Sequence, residues 1–176
     1  MKRPGHRAKL LLGSITAFLV VWGFLFSMGF RFVIGESMQP GLYRYVEGDP
    51  VRGDFMAFHL DEEWSDLALE RGYMKHGFLH LRERPTVKHV AASKGDRVKV
   101  DSSGVWVNGD LLELSKALEF DSGGRAMPEF ALSEVDLKEG EFLVISHGKT
   151  NGLDSRYYGI LNTENLISRV EPVFYF

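Results

Sequence analysis

The sequence predicts a mainly β domain that follows a single N-terminal membrane-spanning helix. Residues 10–30 form an apolar run of 21 residues without a charge. The rest of the chain divides into short apolar or alternating runs separated by Gly and Asp, a pattern typical of antiparallel strands and turns. With 176 residues, the chain is long enough for one anchor and one domain with its own core. We therefore expect a basic tail over residues 1–9, a transmembrane helix over 10–30 and a β-rich domain over 31–176.

The uncharged run has the length of a membrane span. At about 1.5 Å of rise per residue, its helix would cover roughly 30 Å, the hydrocarbon thickness of a bilayer. Lys2, Arg3, Arg7 and Lys9 precede the run without an acidic residue, which predicts a cytoplasmic N-terminus and a domain on the outer face. A cleaved signal peptide is the alternative, but its apolar core is normally shorter and ends in an Ala-x-Ala-like site, which is missing here.

Composition argues against two kinds of function. The chain contains no cysteine, so it can form neither a disulfide framework nor a thiolate zinc site. Its net charge is −3 although its first nine residues hold four basic side chains and no acidic one, so the domain itself is acidic. Because nucleic-acid binding depends on basic side chains, we expect no nucleic-acid partner.

The domain is predicted to consist of short strands with one helix. The runs that read as strands are residues 54–60, 87–92, 97–101, 142–145 and a final strand over 166–176, broken near Pro172. Asn108-Gly109 between two apolar runs is a strong hairpin signal. Residues 61–71 are predicted to form a helix that stops at Gly72. Residues 113–140 are predicted to be an insertion, with no structure assigned to them.

Two residues are candidates for catalysis. Ser37 precedes a rigid Pro40-Gly41 turn, and a serine hydroxyl needs a nearby base to act as a nucleophile. Lys88 is the candidate base, because its apolar neighbours favour the neutral amine. Taken alone, a loop serine and a surface lysine on a strand are the ordinary interpretations of these residues. The sequence around Ser37 lacks the second glycine of a nucleophile elbow, which excludes an α/β-hydrolase.

Four motifs in order resemble those of the type I signal peptidases, which are membrane-anchored proteases with a Ser/Lys dyad. The motifs are Ser37-Met38-x-Pro40, Gly48-Asp49, Lys88 followed seven residues on by Gly95-Asp96-Arg97-Val98, and Asp154-Ser155-Arg156-Tyr157-Tyr158-Gly159. The continuation Pro40-Gly41-Leu42-Tyr43 is similar to the conjugative-transfer, TraF-type members.

The resemblance implies a signal-peptidase-like antiparallel β-sheet or barrel on the periplasmic side of the bacterial inner membrane. It implies Ser37 as nucleophile and Lys88 as general base, with neither a cofactor nor a metal. The implied substrates are membrane-tethered preproteins, and the TraF-type likeness points to a conjugative pilin or another transfer protein. The implied partners are therefore a prepilin or other preprotein, the lipid bilayer and the conjugation or secretion machinery.

The resemblance also implies supporting roles for other residues. Gly35, Met38 and Pro40 lie beside the nucleophile in the sequence and would shape the oxyanion site, where the Ser37 N–H is the surest donor. By the same resemblance, Asp154 and Arg156 would pair and brace the lysine-bearing strand, with Ser155 near the site. Their roles would be positioning and not bond breaking.

The chain departs from the family pattern at three places. Gly35 stands where many members have a serine of the oxyanion hole, and Gly152 stands where a serine usually touches the lysine. Ser146-His147-Gly148-Lys149 replaces the usual Gly-Asp-Asn-Arg. The departures at Gly35 and Gly152 leave a second interpretation open, a non-catalytic bitopic scaffold of a conjugation or secretion complex. Self-cleaving Ser/Lys repressors also share the dyad, but the membrane helix leaves no room for their DNA-binding domain.

Two further patterns resemble sites of other kinds. His76 and His80 have the four-residue spacing of metal ligands on a helix, but no third ligand is evident and Gly77 weakens the helix. Ser146-x-x-Lys149 matches a motif of penicillin-binding enzymes, but the chain lacks their partner motifs and is too short for that fold. We expect no metal site and no activity of that class.

Overall fold

The computed structural model describes residues 5–33, 38–75, 85–146 and 151–176, without the side chains of residues 6 and 8. The α-helices in these ranges are α1 (His6–Ser27), α2 (Glu62–Glu70) and α3 (Ser155–Tyr158), and Thr163–Asn165 form a 3-10 helix. The strands in the same ranges are β1 (Phe30–Val33), β2 (Gly41–Val46), β3 (Phe55–Phe58), β4 (Thr86–Ala92), β5 (Arg97–Asp101), β6 (Gly104–Val107), β7 (Asp110–Leu111), β8 (Leu132–Asp136), β9 (Glu141–Ile145), β10 (Leu161–Asn162) and β11 (Leu166–Tyr175).

Helix α1 has the length and composition of a membrane span. Its segment Lys9–Ser27 has a mean hydropathy of 2.1, and none of the residues in its most apolar part is buried inside the protein. The helix ends at Ser27 and β1 begins at Phe30, because Gly29 turns the chain with a φ of 89°. The uncharged run over residues 10–30 is therefore divided between the helix and the first strand.

The strands form two antiparallel sheets. One sheet has the order β1-β2-β11-β3-β4-β9-β10 and the other has the order β7-β6-β5-β8. The prediction of a mainly antiparallel β domain behind an apolar helix is thus confirmed. Strand β4 lies between β3 and β9, with Lys88 opposite Met56 and Val90 opposite Val144. The candidate base is therefore carried by an interior strand of the larger sheet.

The predicted local elements agree with the structure in type. Asn108 and Gly109 both have positive φ values, 54° and 90°, as a two-residue type I′ hairpin requires. Strand β11 changes register between Pro172 and Phe174, since proline has no N–H to donate to the ladder. The predicted insertion, residues 113–140, contains β8 and an isolated bridge between Phe120 and Ala126.

Apolar packing fixes β4 from two sides. Val90 belongs to one buried cluster with Met56 and Phe58, whereas Ala91 and Ala92 belong to another cluster formed with the smaller sheet. Burying a side chain of the size of Val90 contributes about 1.5 to 3 kcal/mol to stability. The strand that carries Lys88 is consequently held in place by the core on both of its faces.

Candidate active site

Lys88 is a buried lysine that faces a cleft. Its side chain has 3% of its surface exposed, although it lies on a strand where a lysine would ordinarily point to solvent. The cleft has a volume of about 580 Å³, and its lining includes Val33, Met38 and Lys88. The expectation that apolar neighbours withdraw this amine from water agrees with its position.

The side chain of Ser146 contacts the Lys88 amine. Lys88 Nζ donates a hydrogen bond of 2.6 Å to Ser146 Oγ, and both residues are buried. Ser146 follows directly on β9, which pairs with β4, so the two side chains meet across neighbouring strands. The backbone N–H of Ser146 donates to Asp154 Oδ2 at 2.8 Å. This hydrogen bond holds the backbone of Ser146 in place, and with it the hydroxyl that contacts the candidate base.

Gly152 lies against the same two side chains. A Cβ atom at this position would overlap Ser146 Oγ and would lie 3.3 Å from Lys88 Nζ. The missing side chain at residue 152 therefore leaves the space that the Ser146 hydroxyl occupies.

Asp154 and Arg156 form an ion pair in the interior. Arg156 Nε donates to Asp154 Oδ1 and Arg156 Nη2 donates to Asp154 Oδ2, both at 2.7 Å, and the side chains are 1% and 0% exposed. Burial opposes the charged guanidinium, but the hydrogen bonds and the charge of Asp154 outweigh it, so the pKa of Arg156 is raised. Arg156 Nη2 also donates to the Gly152 carbonyl at 3.1 Å. The ion pair therefore contacts the backbone on both sides of the segment between residues 146 and 152.

Ser155 has a different position from its two neighbours. Its Oγ accepts a hydrogen bond of 2.9 Å from the backbone N–H of Val144 on β9, and the residue is fully buried. It is not among the described residues that line the cleft. Its contact is with the strand next to β4, so its position suits bracing better than contact with a substrate.

The chain that follows Ser37 is held by the core and by the last strand. Met38 is 7% exposed and packs with Tyr43 in a buried cluster. The Tyr43 hydroxyl donates to the Gln39 carbonyl at 2.7 Å, and the Phe176 N–H donates to the Pro40 carbonyl at 3.2 Å. The residues after the candidate nucleophile are therefore anchored at three successive positions.

Polar side chains close another part of the cleft. The Tyr73 hydroxyl donates to Asp121 Oδ2, and Arg125 Nε donates to the same oxygen at 2.7 Å. The hydrogen bond from Tyr73 is the largest cause of a lowered pKa at Asp121. Arg71 donates to the Ala126 carbonyl at 2.9 Å and joins this wall to the end of α2.

Some of the predicted candidates lie outside the described residues. They are Ser37, Gly35, His76, His80 and Lys149. Their predicted roles therefore remain predictions. Among the residues that are described, no group of three or more His, Cys, Asp or Glu side chains is arranged to hold a metal ion.

Ser146 and the wall around Asp121 are features that the sequence did not assign to the site. Ser146 was weighed as part of a penicillin-binding motif, and Asp121 lies in the insertion without a predicted structure. A signal for Ser146 was present in the sequence, because a serine at 146 and a glycine at 152 depart together from the family pattern. No local pattern marks Asp121.

Comparison with known proteins adds independent information on the family. The family model described as signal peptidase, peptidase S26, matches residues 6–175. A plasmid transfer protein TraF of Escherichia coli is 30% identical over 167 residues, which cover 94% of this chain and 93% of that protein. A probable signal peptidase I-2 of Synechocystis is 25% identical over 179 residues, covering 94% of this chain and 73% of that protein.

A crystal structure of a signal peptidase I from Enterococcus faecalis is 20% identical, covers 69% of this chain and 97% of that one, and has a TM-score of 0.39. The family model extends from α1 to the end of β11, and the TraF relative matches over nearly the full length of both proteins. The chain therefore belongs to the type I signal peptidases of peptidase family S26, with similarity to the TraF plasmid transfer proteins.

Proposed function

We propose that this peptidase is a membrane-anchored serine endopeptidase in which Ser37 is the nucleophile and Lys88 the general base. The observation that carries the proposal is the buried Lys88 amine in a cleft lined also by Val33 and Met38. Ser37 is bonded to Met38, and consecutive Cα atoms are about 3.8 Å apart. Met38 itself lines the same cleft as the Lys88 amine, which supports Ser37 as the partner of this base.

The burial of Lys88 suits the chemistry of a base. Removing an ammonium group from water disfavours its charged form, and a lysine must be neutral to accept a proton. The Ser37 hydroxyl would attack the scissile carbonyl while Lys88 Nζ takes its proton. The same amine would return the proton to the leaving nitrogen and would then activate the water that releases the acyl-enzyme.

The backbone around Ser37 would stabilise the developing oxyanion. The Ser37 N–H is the proposed donor, and one such donor is typically worth about 3 to 4 kcal/mol. Met38 and Pro40 support this geometry, because the first is buried and the carbonyl of the second accepts a hydrogen bond from Phe176. Gly35 has no side chain to contribute, so a second donor there would be a backbone group.

The proposed substrates are membrane-tethered exported proteins from which a signal or leader peptide is removed. Strand β1 begins directly after α1 and Val33, at the end of this strand, lines the cleft, which agrees with a site close to the membrane surface. The likeness to plasmid transfer proteins favours a conjugative pilin or another transfer preprotein, with the conjugation or secretion machinery as partner. We propose that residues 31–176 lie in the periplasm and that α1 anchors them in the inner membrane.

Two departures from the family pattern favoured a non-catalytic scaffold, and the glycine at residue 152 is one of them. The contact between Ser146 and Lys88 makes this departure a weaker argument for the scaffold. Gly152 lacks the serine that usually touches the lysine, but Ser146 provides a hydroxyl 2.6 Å from Lys88 Nζ. This contact supports Lys88 as a general base although residue 152 is not a serine.

The experiment is cleavage by the full-length protein in lipid vesicles. The substrates are candidate prepilins and transfer preproteins inserted in the same vesicles, and mass spectrometry maps the new termini. We expect one defined cut, absent from vesicles that contain Ser37→Ala or Lys88→Ala. A protein that cuts none of the preproteins would support the scaffold, and a Lys88→Ala protein that still cuts would exclude the dyad.

A further inference from the structure

We infer that Ser146 positions the Lys88 amine for proton transfer and replaces a serine that the chain lacks at residue 152. The inference rests on the proposed function, because it concerns the same general base. Its first support is the 2.6 Å hydrogen bond between Lys88 Nζ and Ser146 Oγ. Ser146 is 4% exposed, so little solvent competes for this contact.

A hydroxyl at this place restricts the direction of the amine lone pair. A neutral lysine amine has two N–H donors and one lone pair, and it rotates freely about the Cε–Nζ bond unless a donor is fixed. When one N–H is bound to Ser146 Oγ, fewer orientations of the lone pair remain. A base whose lone pair is already oriented toward the nucleophile loses less on reaching the transition state.

The geometry of Gly152 is the second support. A Cβ atom at this residue would overlap Ser146 Oγ, so the two positions cannot both carry their side chains in the present arrangement. The same Cβ would lie 3.3 Å from Lys88 Nζ, and a serine hydroxyl attached to it would reach the amine. Gly152 does not have the positive φ that favours glycine, so Ser146, and not the backbone, excludes a side chain here.

The ion pair behind the site holds both positions. Asp154 accepts from the Ser146 N–H at 2.8 Å, and Arg156 donates to the Gly152 carbonyl at 3.1 Å. The backbones at 146 and 152 are therefore tied to one rigid group. If the hydroxyl is moved from residue 146 to residue 152, the backbone at both residues should stay in place, and the hydroxyl should still contact Lys88.

The test exchanges the two residues in the full-length protein, with the preprotein that it cleaves as substrate. In Ser146→Ala we expect kcat to fall by about 10- to 100-fold with an unchanged KM, because a misplaced base affects the chemical step. The double variant Ser146→Gly/Gly152→Ser should recover most of the kcat. Its matched control, Ser146→Gly/Gly152→Ala, differs from it by one hydroxyl and should remain as slow as Ser146→Ala.

Thermal unfolding separates positioning from folding. Gly152→Ala alone should lower the Tm, because its methyl group overlaps the Ser146 hydroxyl, and adding Ser146→Gly should restore the Tm. The pair Ser146→Gly/Gly152→Ala would then be well folded and slow. Equal kcat values for the two double variants would overturn the inference, and so would a wild-type kcat in Ser146→Ala.

Failure of the proposed function gives a different result. In that case the wild-type protein cleaves none of the preproteins, or Lys88→Ala is active. This result would not depend on which residue occupies position 146. The unfolding measurements still decide the structural part. If the changes at residues 146 and 152 have additive effects on the Tm, the conclusion that the two residues cannot both carry a side chain is wrong. A restored Tm in Ser146→Gly/Gly152→Ala would support that conclusion.

Discussion

Asp154 and Arg156 form a bidentate ion pair that is almost completely withdrawn from solvent, with both charged hydrogen bonds at 2.7 Å. The pair lies two residues apart in sequence and fixes Ser146 through its N–H and Gly152 through its carbonyl. Removing one partner of a buried pair leaves the other charge uncompensated. The stability of the domain and the placement of Lys88 therefore depend on the same two side chains.

Asp154→Ala should strongly destabilise the domain. We expect the free energy of unfolding to fall by about 3 to 5 kcal/mol, because the buried Arg156 guanidinium would lose the carboxylate with which it pairs. Chemical denaturation of the detergent-solubilised protein measures this loss. Cleavage activity below the unfolding range should fall as well, since Ser146 loses the acceptor of its N–H.

Asp136→Ala is the matched control for this prediction. Arg97 Nε and Asp136 Oδ1 are also 2.7 Å apart, but these side chains are 56% and 65% exposed. Exposed ion pairs contribute little to stability because water screens them. If Asp136→Ala lowers the free energy of unfolding as much as Asp154→Ala does, burial of the ion pair is not the reason for the loss of stability.

Asp121→Asn should reveal a pH-dependent part of the stability. The pKa of Asp121 is lowered, first by the hydrogen bond from Tyr73 and also by its bonds with Arg125, although burial acts in the opposite direction. The unfolded chain then binds the proton more tightly than the folded protein. The stability that Asp121 contributes is therefore present above its unfolded pKa of about 3.9 and is lost as the pH falls toward the lower folded pKa.

Thermal unfolding from pH 7 to pH 3 checks this sign. The difference in Tm between the wild-type protein and Asp121→Asn should be largest near neutral pH and should shrink below about pH 4. Glu129→Gln, which changes an exposed carboxylate on the same segment, is the control. A Tm difference that stays constant over the range would contradict the role assigned to the Asp121 carboxylate.

Much of the fold could be predicted because its signals are local. Apolar and polar residues alternate over 97–101, and this run has the same bounds as β5. Asn108 and Gly109 form the turn that their residue types predict. Strand β1 was missed because its apolar residues continue the run of α1 and no charge separates the two before Arg31. Strand β8 was missed because only Leu132 and Val135 in it are apolar.

The site was predictable only where a motif marks it. Lys88, Asp154 and Arg156 were assigned to the site because their motifs resemble those of the family. The family match confirms the resemblance, and the roles of these residues stay predictions. The contact of Ser146 with Lys88 joins residues 58 positions apart, and no periodic pattern reports a contact of that kind. It depends on the register of β4 against β9 and on the space left by Gly152.

The proposed dyad predicts that its members act as a unit. Ser37→Ala and Lys88→Ala should each abolish cleavage, and the double variant should be no slower than either single variant, because a nucleophile without its base contributes almost nothing. Initial rates with a preprotein in lipid vesicles measure this. Losses that multiply in the double variant would show two residues acting independently and would contradict a dyad.

The last prediction concerns orientation in the membrane. The positive residues before the uncharged run 10–30 should retain the N-terminus in the cytoplasm and leave the β domain outside. Protease added to spheroplasts should then digest the chain from about residue 32 onward and leave an embedded fragment that contains α1. The same protease added to inverted vesicles should leave the β domain intact, because the bilayer then protects it.

A variant of the tail tests the cause of this orientation. Replacing Lys2, Arg3, Arg7 and Lys9 with glutamine removes the positive charges and keeps α1 long and apolar enough to span. We expect these charges to set the orientation, so part of the variant should insert in the opposite sense, with its β domain protected in spheroplasts. The protected fraction should have lost cleavage of periplasmic substrates. Protection of the β domain already in the wild-type protein would place the cleft on the cytoplasmic side and would contradict a role in removing signal peptides from exported proteins.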